Sequence, residues 1–510
     1  MSEDVILAID QGTTNTKAVL VSGDGSIHGE ASVRVPLSFP APGWVESDGR
    51  AIWDTVQEAI EGSLGETGGA RVAAIAVANQ RESVLAWDRR TGDPLGPCIS
   101  WQCRRTAPYC DALRDRGLED NVRALTGLGL DPLFSASKAR WLLDRIEDAE
   151  DRGRRGDLCI GTVDSWIVWN LTAGQSFVTD LTNASRTQLL DLDRRRWDDG
   201  LLDLFGVPIE ALPEVRGSSA RLGLTHAIGS LPAGRPIAAM IGDSHAALFG
   251  HGAPPPGTVK VTYGTGSSVM TPLVERVAAE GLSATIAWSM ERQQRDPDPA
   301  VVYALEGNIT ATGAALEWLA RLLALPGGES ELAQLAATVA DSDGVYLVPA
   351  FAGLGAPHWD PEARGLVSGL TRGTSRAHLA LAGFESIAFQ VRDVVEVLRS
   401  SAPTAPAMLI ADGGAMQSDL LAQVQADIVH LPVMRSRSGN VAALGAAYLA
   451  GLAVGFWDSL DDIRRLPRSF DRFEPGDGAE ARERGYLGWR AALARARGRL
   501  DRSHPVGVEG

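Results

Sequence analysis

Short apolar runs separated by glycine-bearing polar turns recur from the first residues of the chain. Ile6-Leu7-Ala8-Ile9 ends at Asp10-Gln11-Gly12-Thr13-Thr14-Asn15, and Ala18-Val19-Leu20-Val21 returns from it. Apolar, β-rich runs on either side of a Gly-Thr turn predict a hairpin. The same figure is written again as Val259-Lys260-Val261-Thr262-Tyr263, Gly264-Thr265-Gly266-Ser267-Ser268 and Val269-Met270. After the first hairpin, residues 36–43 are rich in proline. Asp48 then stands as the N-cap of a helix marked by Trp53, Val56 and Ile60. Val72 to Ala78 read as a buried strand ending at Asn79-Gln80-Arg81-Glu82, with Ser83-Val84-Leu85-Ala86-Trp87 expected as its hairpin partner. Ile241-Gly242 delivers Asp243-Ser244-His245 to the start of a small-residue helix.

Gly252-Ala253-Pro254-Pro255-Pro256-Gly257 is the clearest linker and the expected main boundary. Beyond it a second sheet is expected through Val345-Tyr346-Leu347-Val348 and Met408-Leu409-Ile410-Ala411-Asp412. Helices are expected over residues 419–427, 445–451 and 480–500, the last carrying Leu487, Trp489 and Leu493, with residues 503–510 frayed. Alternating strands and helices make the fold class α/β. Two similar hairpins suggest two lobes closing on a polyphosphate, because glycine admits an anion close to the backbone and clustered amides and hydroxyls bind it. A Gly-Thr turn also marks ordinary hairpins, so the weight rests on the repetition.

With 510 residues, 45% of them hydrophobic, the chain can build more than one core. A net charge of -16 argues against nucleic-acid or anionic-membrane partners, so an anionic ligand must be held by local donors. Lysine is nearly avoided: of 48 basic residues only Lys17, Lys138 and Lys260 are lysines, and two of these fall in the hairpins. For Lys260 the plain alternative is a solvent-facing strand position. Cys98, Cys103, Cys110 and Cys159 form no metal-type spacing and are expected as reduced thiols. Without a leader-like start or a membrane-length apolar run, the expected location is cytoplasmic.

Phosphoryl transfer needs phosphates linked to a metal, an aligned hydroxyl and an acid that takes its proton. Asp10, beside Gly12 and Thr13, is the candidate for orienting Mg²⁺, and Asp243, which could also face the ion, is the candidate base. The bland readings are turn stabilisation for Asp10 and an N-cap for Asp243. Asp412-Gly413-Gly414-Ala415 follows a strand and would let a planar base lie near the backbone, or would serve only as a tight strand-helix turn.

Taken together, these stretches resemble the FGGY carbohydrate kinases, most closely the glycerol kinase branch. Further pieces of the resemblance are Trp101-Gln102-Cys103-Arg104-Arg105, Thr182-Asn183-Ala184-Ser185-Arg186-Thr187, the stretch from Gly353 to Asp360 and Gly365-Leu366-Val367-Ser368-Gly369-Leu370-Thr371-Arg372-Gly373. The resemblance implies two actin-like, ribonuclease H-like lobes with an ATP cleft between them. The expected partition is an N-terminal lobe over 1–251 with the acceptor site, a C-terminal lobe over 258–455 with the nucleotide site, and a helical extension over 456–510. By similarity Thr13, Thr14, Asn15, Lys17, Thr265, Gly313, Glu317, Gly414 and Ser418 would contact the nucleotide. Arg81, Glu82, Trp101, Leu133, Asp243 and Ser244 would line the acceptor. Lys17, Glu317 and Ser418 stand where arginine, glutamine and asparagine are usual in the family. Leu133, Ser244 and Ser268 replace the branch's usual tyrosine, glutamine and phenylalanine, which enlarges the acceptor pocket.

The implied activity is ATP- and Mg²⁺-dependent phosphorylation of a terminal hydroxyl of a small polyol, with glycerol first. A four- or five-carbon polyol or ketose such as erythritol, threitol, xylitol or xylulose is the alternative, and a non-catalytic sugar sensor a remote one. The resemblance suggests a homodimer or homotetramer.

Overall fold

The computed structural model describes residues 4–65, 71–291 and 300–498; the frayed end expected over 503–510 lies outside them. The first hairpin is β1 (Asp4–Gln11) and β2 (Asn15–Val21), followed by β3 (Ile27–Arg34) and helix α1 (Gly49–Gly65). Asp48 caps α1 as expected, its carboxylate accepting from the amides of Arg50 and Ala51. Strand β4 (Arg71–Asn79) lies parallel to β1.

The chain after β4 departs from the expected hairpin. Strand β5 (Val84–Asp88) leaves for a separate four-stranded sheet, where it pairs antiparallel with β6 (Leu158–Thr162). The reason is that both edges of β4 are already taken, by β1 on one side and by β8 (Pro236–Gly242) on the other. No edge is left for a hairpin return, and the polar run after Asn79 instead carries the chain out of the sheet.

β7 (Ser219–Leu224) precedes β8, and helix α2 (Asp243–Gly250) follows it directly. The second half opens with the hairpin of β9 (Thr258–Tyr263) and β10 (Ser267–Leu273), then β11 (Ser283–Met290), β12 (Ala300–Ile309) and helix α3 (Gly313–Leu322). The long helix α4 (Arg376–Ser401), β13 (Met408–Asp412), α5 (Asp419–Val429), β14 (Val433–Ser436), α6 (Val441–Val454), β15 (Phe470–Phe473) and α7 (Ala479–Ala496) complete the part needed here.

The repeated hairpin is the visible tip of a repeated sheet plan. In the first half β3 and β2 run antiparallel to their neighbours, then β1, β4 and β8 run parallel. In the second half β12, β10, β9, β13 and β14 repeat that order. β11 and β7 join the two plans, so thirteen of the described strands form one mixed sheet in the order β15-β14-β13-β9-β10-β12-β11-β7-β8-β4-β1-β2-β3. The second sheet expected through residues 345–348 and Met408–Asp412 does not stand apart: Met408–Asp412 joins this one sheet, and residues 345–348 lie outside it. Tyr346–Val348 pairs with Leu366–Ser368 in a two-stranded sheet, because β13 already has β9 and β14 on its two edges.

Alternation explains how both faces of the sheet are covered. Val5, Leu7 and Ile9 of β1 face one cluster with Val56 and Ile60 of α1, whereas Ile6 and Ala8 face another with Ala443, Ala446 and Ala447 of α6. On this second face β4 and β8 offer Ala74, Ala76, Ala78, Ala238 and Ala239, small side chains that let a helix from the C-terminal half settle on the N-terminal sheet. α6 also packs tightly on α2: a Cβ on Gly445 would overlap the Ala246 carbonyl oxygen, and one on Gly250 would overlap that of Val441. At the C-terminus, Trp489 and Leu493 of α7 are buried, but Leu487 is exposed. At 100° per residue, positions 487 and 489 point to different sides of a helix while 489 and 493 share one. Among the described residues no helix is long and apolar enough to cross a membrane.

Gly445→Ala should separate α2 from α6 and lower the unfolding free energy by about 1–3 kcal/mol, measured by chemical denaturation. Gly439→Ala, whose Cβ meets nothing within 4 Å, should stay near wild type.

Candidate active site

The C-terminal ends of β1, β4 and β8 lie side by side, with Asp10 opposite Ala78 and Ala78 opposite Ile241. Asp10, the run after Asn79 and Asp243 therefore open at one edge of the sheet, where parallel sheets gather ligands. Asp243 is the first residue of α2, and its carboxylate turns back to accept from the Ser244 amide at 2.6 Å.

Arg81 lies across the end of β8. Gly242 makes this passage open, since a Cβ there would overlap the Arg81 side chain. The guanidinium donates from Nη1 to Glu306 Oε2 at 2.8 Å and from Nε to Asp243 Oδ1 at 3.2 Å. Glu82 adopts a left-handed backbone conformation, with φ of 64°, and accepts from Arg186 Nε at 2.7 Å. Arg186 Nη1 lies 3.0 Å from Glu306 Oε2, and its Nη2 donates to Asn308 Oδ1 at 3.1 Å. Ser268 donates to the other Glu306 oxygen at 2.7 Å. Side-chain exposure is 0% for Arg186 and Glu306, 6% for Arg81 and 5% for Glu82, against 37% for Asp243. Four charges form a largely buried floor in which Arg81 and Glu82 keep a narrow exposed edge, and Asp243 is the member of the network most open to water.

The electrostatics follow from this packing. Burial alone would raise the Glu306 carboxyl, but Arg186 and Arg81 overrule it and hold it well below its ordinary value. For Asp243 the desolvation on its protein-facing side outweighs the pull of Arg81, so its carboxyl is raised above its ordinary value although part of the side chain reaches water. Asp10 is pushed up to about 6, first by burial and then by the charge of Asp243, with Lys17 acting the other way.

On the hairpin side Thr14, Asn15 and Thr265 are exposed, as is Gly414, whose missing Cβ would meet nothing within 4 Å. Gly313 sits against the second hairpin, its amide donating to the Gly264 carbonyl at 3.0 Å. Trp101 is tied to the first hairpin, because its indole Nε1 donates to Thr13 Oγ1 at 2.8 Å. Lys17 reaches across to Asn440 Oδ1 at 3.2 Å. Ser418 caps α5 with its hydroxyl, and Glu317 is exposed on α3, 4.0 Å from Arg321. Neither is drawn into the charge network. The Leu133 carbonyl accepts from Lys138 Nζ at 2.6 Å and the Ser244 carbonyl from Lys260 Nζ at 3.2 Å. Lys260 is thus fully buried, not solvent-facing, since β9 is an interior strand and α2 covers its side chain.

Two residues of the network carried no role in the sequence reading. Arg186 stood inside the Thr182–Thr187 motif unremarked. Glu306 had a readable signal, an acid within the largely apolar strand Ala300–Ile309 that must be paired if the strand is interior.

Sequence models of the N-terminal and C-terminal domains of the FGGY family of carbohydrate kinases match residues 5–250 and 259–454. A glycerol kinase of Chromobacterium violaceum is 44% identical over 98% of this chain and 99% of its own length. An apulose kinase of Pectobacterium atrosepticum is 45% identical with the same coverage. The crystal structure of Plasmodium falciparum glycerol kinase with ADP superposes with a TM-score of 0.88 at 32% identity, covering 97% of this chain and 98% of that one.

Glu306→Gln would leave two buried guanidinium groups without their shared carboxylate. Denaturation should show a loss of about 3–5 kcal/mol.

Proposed function

The chain belongs to the FGGY family of carbohydrate kinases, and on that footing we propose that it transfers a phosphoryl group from ATP to a terminal hydroxyl of a small polyol, glycerol first. The observation that carries the reading is Asp243, a carboxylate of raised pKa facing water at the rim of a largely buried charge network. A carboxylate less acidic than usual is a better acceptor for an alcohol proton. Held by Arg81, it is positioned without being neutralised, because the network's two cations are outnumbered by three acids.

In this reading Arg81 and Glu82 anchor the hydroxyls of the acceptor, and charge-assisted bonds decide which oxygen faces the phosphate. Trp101 covers the carbon side, and its bond to Thr13 links acceptor position to the phosphate hairpin. Thr13, Thr14, Asn15 and Lys17 from the first hairpin and Thr265 and Gly313 from the second hold the phosphates. Gly414 leaves room for the base, with Ser418 and Glu317 at the margin. Residues 1–251 carry the acceptor side and 258–455 the nucleotide side, with 456–510 as an extension.

The donor set suits Mg²⁺. Asp10 and Asp243 offer hard oxygen ligands, and the raised Asp10 carboxyl marks a negative charge in need of a cation. Among the described residues no cluster of three or more metal-ligating side chains occurs, which fits an ion shared with phosphate and water oxygens. When bound, Mg²⁺ offsets phosphate charge during transfer.

A larger acceptor is favoured by one feature. Ser268 is short and turned to Glu306, and Leu133 and Ser244 are likewise without rings or long polar ends, which supports a four- or five-carbon polyol or ketose as the alternative acceptor.

Asp243→Asn should lower turnover by roughly 10²–10⁴-fold while the nucleotide dissociation constant stays nearly unchanged; retained turnover removes Asp243 from the role of base. ADP release compared across glycerol, erythritol, threitol, xylitol and xylulose as kcat/KM separates the two acceptor readings. Glycerol should lead by at least about tenfold, equivalent to about 1.4 kcal/mol. A longer polyol in the lead makes Leu133, Ser244 and Ser268 the specificity switch.

A further inference from the structure

Lys260 has no part in the machinery described so far, and its placement is costly. It is an ammonium with 0% exposure on an interior strand. Nζ donates to the carbonyl oxygen of Ser244, in the first turn of α2. A helix N-terminus carries partial positive charge, so a cation beside it is disfavoured by both burial and the helix dipole. In a chain that otherwise uses arginine almost throughout, a compact point charge is kept here.

Three acids, Asp412, Asp243 and Glu306, attract the Lys260 charge and offset part of that cost. Asp412, the last residue of β13, lies two residues beyond Ile410, the strand partner of Lys260, and so on the same face of the sheet, and Asp243 begins the helix whose Ser244 carbonyl Lys260 holds. Asp412 is buried and immediately precedes Gly413 and Gly414 of the nucleotide loop. It accepts from His251 Nε2 at 2.8 Å. His251 is the C-cap of α2, the helix that Asp243 begins. The helix bearing the base is therefore held at its start by Lys260 and at its end by the His251–Asp412 pair. It cannot slide between them, because Gly445 and Gly250 bring it into backbone contact with α6.

We propose that Lys260 is a positioning residue: together with Asp412 and His251 it locks α2 to the nucleotide loop, so that Asp243 and the phosphate to be transferred keep one fixed relation. This deepens the kinase reading above and rests on Asp243 as the base. Substrates would still bind without Lys260, through Arg81, Glu82 and the hairpins, but the acceptor hydroxyl would be activated in the wrong place.

Lys260→Met keeps most of the length, one atom short, and removes the charge. In the full-length enzyme with glycerol, or the best acceptor of the panel, kcat per nucleotide-binding site should fall by roughly 10–100-fold. KM for acceptor and for Mg-ATP should stay within about threefold, since neither binding set is touched. Asp412→Asn should give the same split more weakly. The double variant should be no slower than Lys260→Met alone, because one coupled unit is lost only once. A merely structural lysine would lower thermal stability and the folded fraction while leaving kcat per site intact. The proposal is overturned if kcat per site in folded Lys260→Met, or in Asp412→Asn should the former not fold, stays within about twofold of wild type. It is equally overturned if the two losses multiply. An inactive Asp243→Asn beside a fully active Lys260→Met removes only the role of Lys260, whereas an active Asp243→Asn removes the base itself.

Discussion

Two largely buried guanidinium groups share the carboxylate of Glu306, and the arrangement of this edge of the sheet depends on that shared charge. Removing Arg81, Arg186, Glu82 and Glu306 from water is expensive, and only close mutual contact offsets it. Each charge is therefore confined to one geometry. Arg81 leaves the end of β4 and Glu306 is on β12, so the network also spans the two sequence halves. A buried ion cluster adds little to net stability compared with apolar packing. What it supplies here is a rigid, charged floor with one acid left at the rim, the preorganised setting that the proposed proton transfer to Asp243 requires.

The duplicated sheet plan explains why two phosphate-type hairpins exist at all. Each half delivers a Gly-Thr turn from the same position in the same strand order. The halves are then brought together by small side chains. The alanine face of β4 and β8 accepts α6, and α6 in turn fixes α2 through glycine contacts. Packing that serves the core thereby sets the direction of the helix that carries Asp243.

Much of this was legible in the sequence for a physical reason: strand-turn-strand patterns and polar residues at strand ends are local signals. Asp10, Asp243 and the run holding Arg81 and Glu82 stand out as polar groups at strand ends, whereas the acceptor role of Arg81 and Glu82 is implied only by the resemblance. Edge occupancy is not local. Nothing in Ser83 to Trp87 says that both edges of the preceding strand are taken by distant segments, and the same holds for Tyr346–Val348. Lys260 could have faced water or a helix, and only the third dimension decides between them. Glu306 and Arg186 escaped because a buried ion pair is defined by its partners, which lie far apart in the chain. The resemblance to FGGY kinases reached the motifs but not these contacts.

The account turns on where an acceptor hydroxyl sits, and the most direct measurement is a crystal structure with a non-hydrolysable ATP analogue, Mg²⁺ and the best acceptor of the panel. The prediction is a terminal hydroxyl within hydrogen-bond distance of Asp243, about 2.6–3.2 Å, facing the γ-phosphate, with the neighbouring hydroxyls on Arg81 and Glu82. An acceptor bound with its hydroxyl away from Asp243, or outside the edge formed by Arg81, Glu82 and Trp101, would contradict it.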